Sequence, residues 1–239
     1  MSRVIGRSAA FCLHTRPYRE NSVIVQLFTR DAGRIACVAK GIKAATRLRR
    51  AQSAVLQPFV PLQVEWFGKS ELKTLGAVEA VQPVIPLQES WLFAGLYLNE
   101  VLNVLLPEQQ EFHELYDRYA GCVAQLAQRA PLEQQLRRFE KSLLEQLGYG
   151  IPFAVVDREG RYGGEIEAAR YYVYVPDSGF RVAEAGDRTQ ELFLGKNLHA
   201  IAAGQFEQVE VLVTAKQLMR QAMAQVLGQR TINSRQLFL

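Results

Sequence analysis

The stretch SVIVQLFTRDAGRIACVAK, residues 22–40, decides the fold of the N-terminal part of the chain. Its two arms, 22–29 and 34–40, are rich in β-branched and other apolar residues, which favour strands. The residues between them, from Arg30 to Gly33, form a polar sequence that ends in glycine and is typical of a turn. The stretch therefore predicts a β-hairpin.

Segments of the same character lie on both sides of this hairpin. Residues 8–14 precede it, and residues 56–67 and 71–81 follow it. Five strands, joined by one long basic connection at 42–55, predict a five-stranded Greek-key barrel of the OB type. An SH3-like barrel is the main structural alternative.

From residue 88 onward the hydrophobic period changes to that of helices. Segments 91–106, 108–129 and 131–147 each have apolar residues at helical spacing. Residues 149–186 break this pattern with RYYVYV (170–175) and a turn at 176–179, which predict an inserted β-hairpin; helices resume over 187–239. We expect an α+β protein with an OB-fold domain at 1–82 and a helical domain at 83–239, whose first three helices occupy 83–148.

Basic charge is concentrated in the N-terminal third of the chain. The formal net charge is +4, yet residues 1–80 hold thirteen lysines and arginines against five acids. No acid lies between Asp31 and Glu65, where six basic residues fall. This distribution favours a negatively charged partner: nucleic acid, an anionic membrane or an acidic peptide. The alternative is a basic face that is merely solvated.

Basic residues of the barrel and of its long connection are the predicted contacts to nucleic-acid phosphates. Each phosphate that such a cation neutralises releases a counterion, so the affinity should fall steeply with salt. The predicted set consists of Arg16, Arg19, Arg34, Lys40, Lys43, Arg47, Arg49 and Arg50.

Aromatic residues near these cations fall into two groups. Phe11, Phe28 and Phe59 occupy alternating strand positions, and we expect them in the core rather than against bases. Tyr18 lies in the turn RPYRE between Arg16 and Arg19, which makes it the better candidate for stacking on a base.

The predicted third helix combines an apolar stripe with a cation at its edge. Arg137 lies beside the stripe, which is formed by Leu132, Leu136, Phe139 and Leu143. An arginine at the rim of an apolar groove can bind a carboxylate through its planar guanidinium while the groove takes apolar side chains. The alternative is that Arg137 only extends over the surface of the bundle.

The sequence contains no GxxxxGK[ST], GxGxxG, GxSxG or HExxH motif. Its three cysteines are widely spaced without a CxxC pair, which argues against a zinc ribbon and fits a reducing compartment. No apolar run reaches the roughly 20 residues of a membrane span, and no signal peptide is recognised. We therefore expect a cytoplasmic protein without catalytic residues, metal or cofactor.

Six segments together carry a family resemblance. They are FCLHTRPYRENS (11–22), LFTRDAGRIACVAKGIK (27–43), LQPFVPLQVEWFGKSELKTLGAVEAV (56–81), GLYLNEVLNVLL (95–106), LRRFEKSLLEQLGYG (136–150) and SRQLF (234–238). In order, spacing and total length they resemble the RecO family of bacterial recombination mediators. The resemblance implies an N-terminal OB-fold, a helical central domain and an interrupted C-terminal region.

The resemblance also implies a function in DNA repair and recombination. RecO-like proteins bind single- and double-stranded DNA, anneal complementary strands, and with RecR help RecA load onto coated single strands. They also engage the acidic, apolar C-terminal tail of the single-strand-binding protein. It follows that the eight basic residues would contact DNA, and that Arg137 with its apolar stripe would bind the tail.

One branch of the family differs from this sequence. Many relatives hold zinc with four cysteines just after the LGYG segment, whereas residues 149–186 contain no cysteine here. We therefore expect no zinc site, and the RYYVYV hairpin must hold that region without metal.

Two other function classes stay open. A general OB-fold RNA-binding protein without an annealing role would explain the basic barrel but not the apolar stripe beside Arg137. A nuclease or glycosylase is disfavoured, because a metal-dependent nuclease needs clustered acids to hold Mg²⁺ near the phosphate. Preference for DNA over RNA of equal length would separate the first class, and cutting or base release would establish the second.

Overall fold

The computed structural model describes residues 5–42, 52–157, 159–187 and 190–238. The chain forms two compact units, the first comprising residues 1–130 with 230–239 and the second residues 131–229. The predicted domain boundary at residues 82 and 83 marks where strands give way to helices, and it stays a prediction.

A closed five-stranded barrel with strand order β1-β2-β3-β5-β4 begins the first unit. Its strands are β1 (Gly6–Tyr18), β2 (Ser22–Thr29), β3 (Gly33–Ala39), β4 (Leu62–Phe67) and β5 (Leu72–Ala80). Strands β3 and β5 run parallel, and the other neighbouring pairs are antiparallel. This arrangement confirms the predicted OB-type barrel.

The turn between β2 and β3 shows why the opening stretch forms a hairpin. Gly33 has a φ of +63°, a conformation that glycine adopts without steric cost. A Cβ atom at this position would lie 1.7 Å from the backbone oxygen of Gln110, so the turn has no room for a side chain. The Thr29 hydroxyl donates a hydrogen bond of 2.8 Å to the Gly33 carbonyl and closes the turn.

Side chains alternate along the strands, and the inward-pointing ones from all sides of the barrel fill its interior. The inward positions include Ala10, Cys12, Val25, Leu27, Ile35, Cys37, Leu62 and Val64. On β1 and β2, the outward positions Phe11 and Phe28 are also buried. The outer face of this part of the barrel therefore forms a second packing surface.

Two helices of the first unit follow the barrel, α1 (Glu89–Leu105) and α2 (His113–Ala127). Aromatic rings join α2 to the barrel: Phe11 meets Tyr119 with ring centroids 5.1 Å apart, and Phe28 meets Tyr116 at 5.4 Å. Both pairs adopt edge-to-face geometry, which aromatic rings prefer. A C-terminal 3₁₀ helix (Asn233–Phe238) packs against α1.

In its described residues, the second unit combines three α-helices with a small sheet. The helices are α3 (Leu132–Gln146), α4 (Gly195–Ala202) and α5 (Val209–Leu227). The sheet has the order β10-β8-β9-β6-β7, formed by β6 (Val155–Val156), β7 (Tyr162–Gly164), β8 (Tyr171–Val175), β9 (Gly179–Val182) and β10 (Phe193–Leu194). The predicted hairpin is β8–β9, and the structure places it inside a sheet of five strands.

The three additional strands are only two or three residues long. A run of that length has no measurable period, so the sequence pattern does not reveal it. In the described ranges, no three His, Cys, Asp or Glu side chains form a group that could hold a metal ion. Nor is any described helix long and apolar enough to cross a membrane.

Candidate nucleic-acid interface

Strand pairing brings three of the predicted cations to one end of the barrel, here called the barrel end and consisting of Arg16, Arg19 and Lys40. Arg16 pairs across the hairpin with Ile24, and Arg19 lies in the turn that joins β1 to β2. Lys40 follows directly after β3, whose last residue pairs with Val23 at the start of β2. All three cations are exposed.

The three cations of the barrel end are open to solvent and to anions. Within the part of the chain that the structure describes, none of them has a carboxylate within 4.0 Å. The Arg19 guanidinium lies 5.1 Å from the centre of the Tyr18 ring, a cation–π contact that orients both side chains. The half-buried Tyr18 stays the predicted stacking platform beside these charges.

Arg34, a fourth predicted cation, is held by protein groups instead. Its Nε donates a 2.9 Å hydrogen bond to the carbonyl of Leu106, and its Nη1 lies 3.0 Å from the carboxylate of Glu108. Only 15% of the side chain is exposed. Arg34 connects β3 to the segment after α1. Unlike the cations of the barrel end, it is not an open charge.

Four further predicted contacts, Lys43, Arg47, Arg49 and Arg50, lie outside the described residues. The described residues that flank these four are Ile42 and Gln52; Ile42 is buried in the barrel core, as is Leu56 four residues after Gln52. The connection therefore starts and ends on the barrel, and its part in binding stays a prediction.

The expectation that Phe11, Phe28 and Phe59 belong to the core is confirmed, since each is at least 96% buried. OB-folds commonly bind ligands on the outer face of strands 2 and 3. Here Ile24 and Val38, on that face, are buried as well. The β1–β2 turn, which leads into β2, exposes Arg19 next to the half-buried Tyr18.

The sequence predicted an open apolar groove beside Arg137 on helix α3, and the structure shows these apolar residues packed instead. Leu136, Phe139 and Leu143 are buried in the second unit, and Leu132 is half-buried at the start of the helix. The apolar stripe is thus part of the core, as expected of an amphipathic helix.

Arg137 forms an ion pair with another residue of helix α3. Its Nη1 lies 2.9 Å from a carboxylate oxygen of Glu140, and the two side chains are 11% and 3% exposed. Arg138 is exposed and pairs with Glu207 at 2.8 Å, and Lys141 is half-buried and pairs with Glu145 at 2.5 Å. The site for the tail at Arg137 and its apolar stripe stays a prediction. Binding there would require Arg137 to give up its contact with Glu140 and to contact the carboxylate of the tail instead.

The three cysteines of the chain are free thiols buried in the interior. Burial raises the pKa of Cys12, Cys37 and Cys122 to about 12. The thiolate is the reactive form of cysteine, so these thiols stay protonated and inert at neutral pH. Their role is to pack the interior.

Sequence reasoning missed the polar residues on the apolar helix α1. Asn99 is 2% exposed, and its Oδ1 accepts a 2.5 Å hydrogen bond from the Tyr119 hydroxyl. Its Nδ2 donates to the carbonyls of Cys12 and Leu13, both at 3.4 Å. The sequence did contain a sign of this contact, namely polar residues in an otherwise apolar helix. A buried amide needs hydrogen-bond partners, which neighbouring elements must supply.

Comparison with known proteins gives one consistent result. Residues 1–84 match the model described as Recombination protein O N terminal, and residues 91–236 match Recombination protein O C terminal. A protein of Psychromonas ingrahamii named DNA repair protein RecO is 38% identical over 96% of both chains. The protein of the same name from Methylococcus capsulatus is 42% identical over 96% of this chain and 91% of its own.

Proposed function

The chain belongs to the RecO family of DNA repair proteins, and from this premise we propose that it is a recombination mediator that binds and anneals DNA. It binds single and double strands through the barrel, and no step of its action breaks a covalent bond. The observation that carries the proposal is the barrel end, where Arg16, Arg19 and Lys40 are exposed together without carboxylate partners among the described residues.

Annealing follows from charge neutralisation. Two complementary strands repel each other as polyanions, and a protein that neutralises phosphates on both can hold them close while base pairing begins. Contacts to phosphates fix position without reading sequence, so annealing should not depend on base sequence. Lys43, Arg47, Arg49 and Arg50, in the connection that follows β3 in the sequence, add four further positive charges that could contact phosphates in the same way.

The direct test is annealing of complementary fluorescent oligonucleotides. The protein should accelerate annealing in the presence of a metal chelator and without nucleotide. An obligatory requirement for ATP would contradict a passive mediator. Stronger binding to RNA than to DNA of equal length, without annealing, would instead favour a general RNA-binding protein.

A second part of the proposal concerns the partner tail. We place the acidic, apolar C-terminal tail of the single-strand-binding protein at α3, with its terminal carboxylate on Arg137 and its apolar residues against Leu132, Leu136, Phe139 and Leu143. Arg137 supports this role because a guanidinium binds a carboxylate in a planar, bidentate fashion that lysine does not offer.

The test of the tail site must separate binding from folding, because Arg137 pairs with a buried Glu140. The informative variant is Arg137→Met combined with Glu140→Leu, which removes both charges and keeps the volume apolar. We expect it to fold and to lose affinity for a fluorescent tail peptide, while it binds single-stranded DNA as the wild type does. Unchanged peptide affinity would move the tail site elsewhere.

We further propose that the protein acts together with RecR and RecA, in the cytoplasm at the nucleoid. This proposal rests on family membership, since RecO-like proteins help RecA load onto coated single strands. Loading of RecA onto strands covered by single-strand-binding protein, measured with and without RecR, would test it.

A further inference from the structure

A cavity of about 350 Å³ lies in the first unit, between β1, α1 and the C-terminal 3₁₀ helix. Its volume falls within the range of small-molecule sites. Apolar walls come from Leu13, Leu96 and Leu237, and polar groups come from His14, Asn103 and Glu100, among others.

An irregularity of β1 forms one wall of this cavity. The pairing register with β2 shifts between Cys12 and His14, which leaves Leu13 as the extra residue of a β-bulge. Asn99, reaching from α1, donates to the carbonyls on this bulge. Bulges turn side chains away from the regular alternation of a strand and recur beside binding sites. Here the bulge exposes His14 at the cavity.

The opposite wall is fixed by Glu100. Its carboxylate accepts hydrogen bonds from the backbone amides of Asn233 at 2.9 Å and Ser234 at 2.7 Å. Burial opposes the charged form of Glu100, but the hydrogen bonds from Ser234 and Asn233 outweigh it and hold its pKa below the usual range. At neutral pH the C-terminal segment is therefore docked on α1 by a charged carboxylate.

A buried polar atom of the cavity residue Asn103 lacks a partner in the described part of the chain. Asn103 Oδ1 is buried, and among the described residues it accepts no hydrogen bond. Buried acceptors are almost always satisfied in native proteins, so this exception favours a partner for Asn103 that the described residues do not supply, such as a water molecule or an N–H group of a ligand. A side-chain amide offers a donor beside an acceptor, which matches the edges of nucleobases.

The segments that resemble the RecO family meet at this cavity. Leu13 and His14 belong to segment 11–22, Leu96, Glu100 and Asn103 to 95–106, and Leu237 to 234–238. Arg16 lies two residues beyond His14, on the same side of the strand and roughly 7 Å along it. A cation is thus available for the phosphate of a nucleotide whose base enters the cavity.

We propose that this cavity binds one unstacked nucleobase of single-stranded DNA. Leu13 and Leu96 pack on the base, the Asn103 amide bonds its edge, and Arg16 contacts the adjoining phosphate. This inference rests on the proposed DNA binding and adds a base-dependent part to a surface that otherwise contacts only phosphates.

The experiment compares two probes with equal numbers of phosphates: an oligothymidylate of about twelve nucleotides and an abasic chain of the same length. Wild-type protein should bind the oligothymidylate roughly tenfold more tightly, which corresponds to about 1.4 kcal/mol. Leu96→Trp, which fills the cavity, should bring the ratio of the two affinities close to one and leave affinity for the abasic chain unchanged. Asn103→Leu, which removes the amide, should lower the ratio in the same direction.

Tyr18→Ala is the matched control, because it removes the other candidate for contact with a base and leaves the cavity intact. Equal wild-type affinity for both probes, or a ratio that disappears in Tyr18→Ala but persists in Leu96→Trp and Asn103→Leu, would overturn the cavity site. Failure of the wild type to bind either probe would instead contradict the proposed DNA binding. Circular dichroism of each variant confirms that it is folded.

Discussion

The barrel end and helix α3 hold arginines in opposite ways. Arg16 and Arg19 are exposed and face no carboxylate within 4.0 Å among the described residues, whereas Arg137 lies against Glu140 with both side chains buried. An open cation costs the fold little and remains available to an anion. A buried, paired cation is part of the fold, and removing it leaves a buried carboxylate without that cation.

The largest effect should come from breaking the buried pair. Arg137→Ala removes the cation that Glu140 faces, and loss of one partner of a buried ion pair typically costs about 3–5 kcal/mol. Urea denaturation should therefore show a strongly lowered free energy of unfolding. Arg138→Ala, which removes an exposed neighbour paired with Glu207, should cost no more than about 1 kcal/mol. Equal stabilities of the two variants would show that burial does not distinguish these arginines.

A smaller effect is expected at Arg34, which lies in the barrel but resembles Arg137 in its contacts. Arg34→Ala removes the hydrogen bond to Leu106 and leaves Glu108 without that cation, so we expect a loss of about 1–3 kcal/mol. Arg16→Ala should leave the free energy of unfolding nearly unchanged. If Arg34→Ala instead weakens DNA binding at full stability, Arg34 belongs with the open cations.

The smallest effect concerns the exposed pair between Arg30 and Asp117. Two hydrogen bonds of 3.0 Å from Arg30 hold the pKa of Asp117 below its usual value. Because the folded pKa is lowered, the pair stabilises the fold above the unfolded pKa of about 4, and this stabilisation disappears as pH falls through the folded value.

Urea midpoints of wild type and Asp117→Asn test this pair. They should differ slightly near neutral pH and coincide once the pH falls below the folded pKa of Asp117. A difference that persists in strong acid would mean that the side chain acts through packing rather than charge.

The barrel was predictable from sequence because its strands are long enough to show alternation and because the turns that precede β3 and β5 contain glycine. Gly33 marks the β2–β3 turn in the sequence and adopts the positive φ that the turn requires. The small sheet of the second unit was predictable only at β8–β9, since a strand as short as β10 has no period to detect.

The availability of each cation was not predictable. Arg34 and Lys40 stand six residues apart in one basic stretch, yet one is held by Leu106 and Glu108 and the other is exposed. Their difference depends on a segment more than sixty residues away in the chain. The cavity beside Asn103 depends in the same way on a helix and a C-terminal segment that only the fold brings together.

The salt dependence of single-stranded DNA binding tests most directly whether the barrel end is the DNA-binding surface. Each phosphate that the protein no longer neutralises reduces the slope of log affinity against log salt by about 0.7 for single strands. Replacing Arg16, Arg19 and Lys40 together with alanine should therefore make the slope shallower by about two and weaken binding to all sequences. The matched control on α3, Arg138→Ala with Lys141→Ala, should retain the wild-type slope. An unchanged slope in the barrel-end variant, or a shallower one in the α3 control, would contradict the account.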